Sequence, residues 1–205
     1  MSNTTPPPNS DKSHLHSFLR EFCTESDRAA VVLGAAKLDY SLYQLLQQFL
    51  KPNEAGRDEL LDGDGPLSTF SAKINLCHRL GLIHIDVARL LHLIRKIRNE
   101  FAHEVNTGTL DSSPHKDRIK QLMTPFTQSP TYSLMRDCFF KHRPGPAGDF
   151  LCILTFLVGR LDAWVALSKP ISDYDIFCLQ LEYIFPTVEE LMIIAQEEQD
   201  SKTAR

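Results

Sequence analysis

The sequence has no pair of cysteines at C-x-x-C spacing, which excludes the common zinc-binding and dithiol redox motifs. Its cysteines are odd in number and widely separated, so they indicate no disulfide framework either. They are Cys23, Cys77, Cys138, Cys152 and Cys178. We expect them to be buried free thiols in a reducing cytosol.

The sequence also lacks a G-x-S-x-G motif and a glycine loop that would cradle phosphates. The DGDG segment at 62–65 lacks the later bidentate Glu of a calcium loop, so it favours a turn. Cys77 with His78, and His14 with His16, have no partners at metal-ligand spacing. The sequence therefore predicts no metal site and no cofactor.

There is no excess of positive charge, and no uninterrupted apolar run long enough to cross a membrane. The formal net charge of −4 gives no general attraction to nucleic acid or to acidic membranes. The apolar run 150–167 is interrupted by Gly159, Arg160 and Asp162, which favours a buried or interfacial helix over a membrane span. The segment MSNTTPPPNSDKSHLH has no signal-peptide pattern. We therefore expect a cytoplasmic protein.

No strand-like alternation of any length and no internal repeat is present, so the sequence predicts an all-α fold. We expect a bundle of about six to eight helices in a single domain over 13–205. Residues 1–12 are rich in Pro, Ser, Thr and Asn and predict a disordered tail. Residues 106–148 are predicted to form an irregular, insertion-like segment.

Apolar residues at alternating spacings of four and three, from Val31 to Phe49, predict a helix over 24–51. Either Thr24 or Ser26 can cap its N-terminus, and Lys51 with Pro52 ends it.

A short helix is predicted after a cap at Ser68 or Thr69, with Gly81 as its left-handed stop. The next helix is predicted to start at Asp86 and to end at 106–108. Further helices are predicted with Pro114 as the first residue, over 132–141, after the break RPGPAG over 149–168, and in a last segment from Ser172.

The two helices within residues 70–104 have the connectivity of a helix-turn-helix. A recognition helix presents polar residues to the bases near its N-terminus. Here the second helix instead begins with Val87, Leu90 and Leu91. The sequence therefore predicts no standard sequence-specific DNA reader.

A local surplus of positive charge lies between Ser68 and His103. This segment contains six Lys and Arg residues and two acidic residues, a difference of four. Such a surplus can meet a phosphate backbone or an acidic partner. The alternative is a solvated helix face with ordinary charge scatter. The candidates for phosphate or partner binding are Lys73, Arg95 and Lys96.

The stretch RKIRNEFAH at 95–103 carries the most concentrated candidate chemistry. At ~100° per residue, His92, Asn99 and His103 share one helix face, and Arg98 lies roughly 140° from His103. One phosphate can touch both only if the helix kinks, the Arg reaches around, or a second chain supplies the partner. Arg98 is otherwise a half-buried residue that satisfies carboxylates or helix-end carbonyls.

Two segments together resemble the mannitol operon repressor (MltR) family. They are LLDGDGPLSTFSAKINLCHRLGLI at 60–83 and LLHLIRKIRNEFAHE at 90–104. The DGDGPL turn, the S-x-K helix, the LGLI joint and the Arg-x4-His helix end carry the resemblance. It implies a helical regulator without a recognisable DNA-binding motif, in which repression acts through another protein.

The segment from Arg98 to His103 also resembles the Arg-polar-x3-His motif of the HEPN superfamily. In its nucleases two chains pair so that both motifs line one cleft, and RNA is cut without metal. The resemblance implies that His103 is an acid/base, that Arg98 stabilises charge on the phosphate, and that Asn99 orients it.

Two hypotheses of different classes follow. The first is a dimeric, non-enzymatic regulator of transcription that acts through protein contacts. The second is a metal-independent, toxin-like ribonuclease that uses Arg98, Asn99 and His103 on RNA. The apolar helix at 149–168 motivates the homodimer, although the core of one chain can also absorb it.

Overall fold

The computed structural model of the chain describes residues 25–51, 56–103 and 109–169. In these ranges six α-helices and one 3₁₀ turn are found, and none of the described residues lies in a strand. The helices are α1 (Asp27–Phe49), α2 (Phe70–Arg79), α3 (Ile85–His103), α4 (His115–Met123), α5 (Pro130–Phe139) and α6 (Gly145–Leu167), and the 3₁₀ turn spans Thr124–Phe126. The all-α prediction is confirmed. The predicted tail at 1–12, the stop at 106–108 and the segment from Ser172 lie outside the described residues.

Helix α1 buries the face that its apolar spacing predicts. Its N-terminus is capped by Ser26, whose Oγ accepts from the backbone N–H of Ala29 at 3.3 Å. The buried stripe includes Val31, Ala35, Leu38, Leu42 and Leu45, which pack in the core with α6 and α3. The 3.6-residue period therefore places α1 at the centre of the bundle.

The joint between α2 and α3 has the predicted caps. Thr69 Oγ1 accepts from the N–H of Ala72 at 3.2 Å, and α2 ends in a Schellman motif. In that motif Gly81 has a φ of +74°, its N–H donates to His78 O, and the N–H of Leu82 donates to Cys77 O. Helix α3 then begins at Ile85, one residue before the predicted start.

Between 109 and 148 the chain is more regular than the sequence predicts. Two helices and the 3₁₀ turn occupy most of this segment, and Pro114 precedes α4 as its N-cap residue instead of being its first helical residue. Contacts with α3 and α6 hold these short helices. A local pattern cannot show such tertiary support, which explains why the segment was predicted to be irregular.

Helix α6 begins at Gly145, four residues before the predicted start, so the expected break RPGPAG lies partly inside the helix. Pro146 is tolerated there because the first turn of a helix needs no backbone N–H donors. Arg136 on α5 fixes this region, because its Nε lies 2.8 Å from Asp149 Oδ1 and its Nη2 donates to Arg143 O at 2.8 Å.

By length and composition α6 could cross a membrane, yet half of its most apolar 18-residue window is buried within the fold. Its charged residue Asp162 accepts from Ser41 Oγ at 2.8 Å and pairs with Lys37 Nζ at 3.0 Å. The helix contacts α1, α4 and α5, and the exposed apolar residues Trp164 and Leu167 lie at its C-terminal end. The helix predicted to be buried or interfacial therefore buries about half of this window in the core of one chain.

Candidate functional site

The C-terminal half of α3 places Arg98 and His103 on different sides of the helix. Arg98 is exposed, and its Nη1 donates to Asn99 Oδ1 at 3.0 Å. It borders a cavity against α1 and α2, and His103 is not among the residues that line this cavity. His103 is exposed as the last residue of α3. One chain therefore does not bring the two ends of the motif into one cavity.

The cavity that Arg98 borders has a volume of about 390 Å³. Its walls come from α1, the turn at 61–68 (hereafter the DGDG turn), α2 and α3. The polar lining residues include Asp39, Tyr43, Asp62, Ser68, Lys73 and Arg98. Three segments of the family resemblance thus meet here: the DGDGPL turn, the S-x-K helix and the arginine of the Arg-x4-His end.

Lys73 is only 5% exposed, although it is a charged residue. Its Nζ lies 2.7 Å from Asp39 Oδ1 and 5.8 Å from the ring centroid of Tyr43. Burial of a lone ammonium is costly, and the carboxylate of Asp39 offsets that cost. Lys73, predicted to bind a phosphate or a partner, therefore lines the cavity with its charge already balanced by α1.

Tyr43 and Asp62 connect α1 with the DGDG turn. The pKa of the Tyr43 hydroxyl is raised, first by burial and then by the negative charge of Asp62 and the hydrogen bond to it. Asp62 Oδ2 also accepts from the N–H of Asp58 at 3.2 Å. Gly63 follows with a φ of +59°, which confirms the predicted turn.

Arg95 and Lys96 do not line this cavity. Lys96 is exposed, whereas Arg95 is half-buried and its Nε has no hydrogen-bond partner among the described residues. Their charges act on His92, whose pKa is lowered first by burial and then by Arg95 and Lys96. Of the predicted set Lys73, Arg95 and Lys96, only Lys73 reaches the cavity.

The middle of the Arg-x4-His stretch has a structural role that the sequence did not suggest. Glu100 pairs with Arg118 on α4, and its Oε2 lies 3.2 Å from Nδ1 of the fully buried His115. Phe101 stacks on His115 with ring centroids 4.5 Å apart. These contacts fix the last turn of α3 against α4.

A second cavity, also of about 390 Å³, is mainly apolar and is called the apolar groove here. It lies between the start of α3, the 3₁₀ turn and α6. Val87, Leu90, Phe126, Phe156 and Trp164 are among its lining residues. Trp164 is 45% exposed, so this groove presents a large aromatic side chain to solvent.

The sequence reasoning missed Asp39, Tyr40 and Tyr43, which line the first cavity. Asp39 and Tyr43 are four residues apart and share a face of α1 beside the apolar stripe. This spacing was the one sequence signal that could have indicated a polar wall on α1. It could not be interpreted without the position of Lys73, which lies 34 residues further along the chain (73 minus 39) and pairs with Asp39.

The described residues contain no group of three or more His, Cys, Asp or Glu side chains that could hold a metal ion. Of the cysteines predicted to be buried, Cys77 and Cys152 are buried and free, whereas Cys138 is exposed. Cys138 lies on α5, for which no buried residue is described, so the prediction of burial is wrong for this cysteine. Cys23 and Cys178 lie outside the described residues.

Comparison with known proteins gives a match of structure and none of sequence. No protein-family model matches the chain. No curated protein sequence matches it significantly. The X-ray structure of the MtlR-HPr complex from Escherichia coli is similar over 75% of this chain and 99% of that chain, with 18% sequence identity and a TM-score of 0.54. The chain thus has an MtlR-like fold.

Proposed function

We propose that this protein is a regulator of the mannitol operon repressor type that acts on transcription through contacts with another protein. The observation that carries the proposal is the MtlR-like fold, because that structure was solved as a complex of MtlR with the protein HPr. The similarity spans nearly the whole of the matched chain, which supports a common fold for the two chains.

The burial pattern of α3 supports protein contacts over DNA reading. A recognition helix exposes its first turns to the base edges of the major groove. Here Ala88, Leu90 and Leu91 are 4%, 7% and 0% exposed, so this part of α3 belongs to the core. This burial favours protein contacts over base reading by the α2–α3 pair.

The apolar groove is the surface that we assign to the protein partner. Exposed aromatic side chains beside an apolar pocket are frequent anchors of protein interfaces. Trp164 has this position, and His84, Asp86 and Arg160 supply polar groups among the lining residues. The partner we propose is a protein of the HPr type.

Size-exclusion chromatography with light scattering tests both the partner and the homodimer. The full chain is run alone and with purified HPr at micromolar concentration. We expect the mass of a dimer for the chain alone and a further mass that includes HPr for the mixture. A monomeric mass would contradict the predicted homodimer. Separate elution of the two proteins would contradict the HPr-type partner.

The second candidate function is the metal-independent ribonuclease. It is favoured by the exposure of Arg98 and His103 and by the hydrogen bond that joins Arg98 to Asn99. Because the two side chains lie roughly 140° apart on an ideal helix, we propose that the shared site combines residues from two chains.

The ribonuclease is tested by RNA cleavage in EDTA with wild type, Arg98→Ala and His103→Ala. Arg89→Ala is the matched control, because Arg89 is exposed on the same helix outside the motif. Cleavage that leaves 2′,3′-cyclic phosphate and is lost only in Arg98→Ala and His103→Ala establishes the enzyme. Absence of cleavage by folded wild type rejects it in favour of the regulator.

A further inference from the structure

We propose that the cavity bordered by Arg98 is a binding site for a small organic anion, which makes the protein responsive to a metabolite as well as to a protein. This goes beyond the proposed function, which rests on the fold and the apolar groove.

The cavity has the size and the mixed walls of a small-molecule site. Ligand pockets usually measure roughly 300–1,000 Å³ and combine apolar walls with a few polar groups. At about 390 Å³ this cavity is at the small end of that range, which suits a small ligand. Ala35, Ala36 and Phe70 supply apolar surface. Tyr40 and Tyr43 add stacked rings, with centroids 6.2 Å apart and planes 11° apart.

The charges of the lining residues favour an anion over a cation. Two carboxylates are present, and both already have partners. Asp39 is paired with Lys73, and Asp62 Oδ2 accepts from the N–H of Asp58 at 3.2 Å. A cationic ligand would therefore have to displace an existing ion pair or hydrogen bond.

Of the two cations that line this cavity, Arg98 is the one without an ion pair to a described residue. Among the described residues its hydrogen-bond partner is Asn99, whose amide oxygen is neutral. A guanidinium group presents a planar fork of donors that matches a carboxylate or a phosphate. The ligand that completes this wall is therefore an oxyanion.

Lys73 offers the second set of donors. An ammonium group carries three N–H donors, and the ion-pair partner of Lys73 is the Asp39 carboxylate at 2.7 Å. Because Lys73 is 5% exposed and lines the cavity, its remaining donors are held in place at little entropic cost. The anionic group binds to Arg98 at the rim, and oxygen atoms of the ligand accept from Lys73 deeper in the cavity.

The alternative is that Lys73 and Asp39 only join α2 to α1 and that the cavity binds no ligand. The two alternatives differ at Arg98, which is exposed and contributes little to packing. A purely structural cavity predicts no ligand and no effect of Arg98. An anion site predicts binding that depends on Arg98 and not on neighbouring charges.

The test uses ligand-observed NMR and calorimetry on the full chain with three small probes of similar size. Phenyl phosphate and benzoate represent the two oxyanion classes, and benzyl alcohol is the neutral control. The variants are Arg98→Gln, Ala36→Leu and Arg89→Gln. Ala36 is an exposed residue of the cavity wall, so a leucine there fills space without changing charge. Arg89 is a matched exposed cation on the same helix outside the cavity.

We expect at least one anionic probe to bind wild type and benzyl alcohol not to bind. Arg98→Gln should weaken that binding about tenfold or more, Ala36→Leu should abolish it, and Arg89→Gln should leave it unchanged. The probe that binds more tightly identifies phosphate or carboxylate as the class. Failure of both anions to bind wild type overturns the proposal, as does equal binding by wild type and Arg98→Gln. Circular dichroism confirms that each variant is folded.

Discussion

The ammonium of Lys73 lies 2.7 Å from the carboxylate of Asp39, and this ion pair joins α2 to α1 beside the Arg98 cavity. Lys73 has 7% of its side chain exposed and Asp39 has 32%, so the pair is largely but not wholly withdrawn from solvent. Loss of one partner from such a pair leaves a poorly hydrated charge, which costs more than the pair itself contributes.

Lys73→Met should therefore lower the free energy of unfolding by about 2 kcal/mol, because Asp39 is left without its counter-ion. Urea denaturation of purified variants measures this. The double variant Lys73→Met/Asp39→Leu should recover most of the loss, since no charge remains. Equal destabilisation of the single and double variants would show that the ion pair is not the cause.

Gly81→Ala should destabilise the protein by about 1 kcal/mol, because only glycine adopts the left-handed conformation without cost. The φ of Gly81 is +74°, and a Cβ there would meet no atom within 4 Å, so the effect is one of backbone strain alone. Thermal unfolding measures it. Gly81→Asn is the matched control and should cost less than alanine. An alanine variant as stable as wild type would contradict the Schellman ending of α2.

The described cysteines should differ in reactivity. Burial is the main cause that raises the pKa of Cys77 to about 12 and that of Cys152 to about 11, and both thiols are enclosed in the core. Cys138 is exposed. Alkylation by iodoacetamide at mildly alkaline pH, followed by peptide mass spectrometry, should modify Cys138 and spare Cys77 and Cys152. Urea-unfolded protein is the control, in which all three should react. Rapid native labelling of Cys77 would show that α2 is not packed as described.

His92 should make the protein less stable as the pH falls. Its pKa in the folded state is lowered, chiefly by burial and further by Arg95 and Lys96. As the pH falls through the ordinary value of about 6.5, the unfolded chain takes up a proton first, so stability is lost until the folded pKa is reached.

His92→Gln removes this linkage and can retain a hydrogen bond to Asn75, whose Oδ1 lies 3.0 Å from His92 Nε2. When the pH is lowered from 7.5 to 5.5, the unfolding free energy of wild type should therefore fall more than that of His92→Gln. Urea denaturation at both pH values measures the shift. A difference that is constant with pH would contradict the lowered pKa.

The helices that the sequence predicted well are those with both a periodic apolar face and a recognisable cap. Ser26, Thr69 and Gly81 act locally, through a side chain or a backbone conformation, so a short window of sequence contains the information. The start of α6 could not be read in this way. It depends on Arg136 of α5, which binds Asp149 and the carbonyl of Arg143.

The candidate site was predictable in part for the same reason. The angular separation of Arg98 and His103 follows from helical geometry alone, and the structure places Arg98 on the cavity and His103 elsewhere. The cavity itself was not predictable, because it needs Asp39 and Lys73 from different helices and Asp62 from the turn between them. Long-range contacts of this kind leave no local pattern.

Calorimetric titration of HPr into this protein tests most directly the claim that it acts through a protein partner. The variants are Trp164→Ala in the apolar groove and Leu167→Ala, an exposed apolar residue one turn further along α6 that does not line the groove. We expect binding by wild type, a loss of affinity of about tenfold or more in Trp164→Ala and no change in Leu167→Ala. Absence of binding by folded wild type would contradict the HPr-type partner, and unchanged binding by Trp164→Ala would contradict the groove.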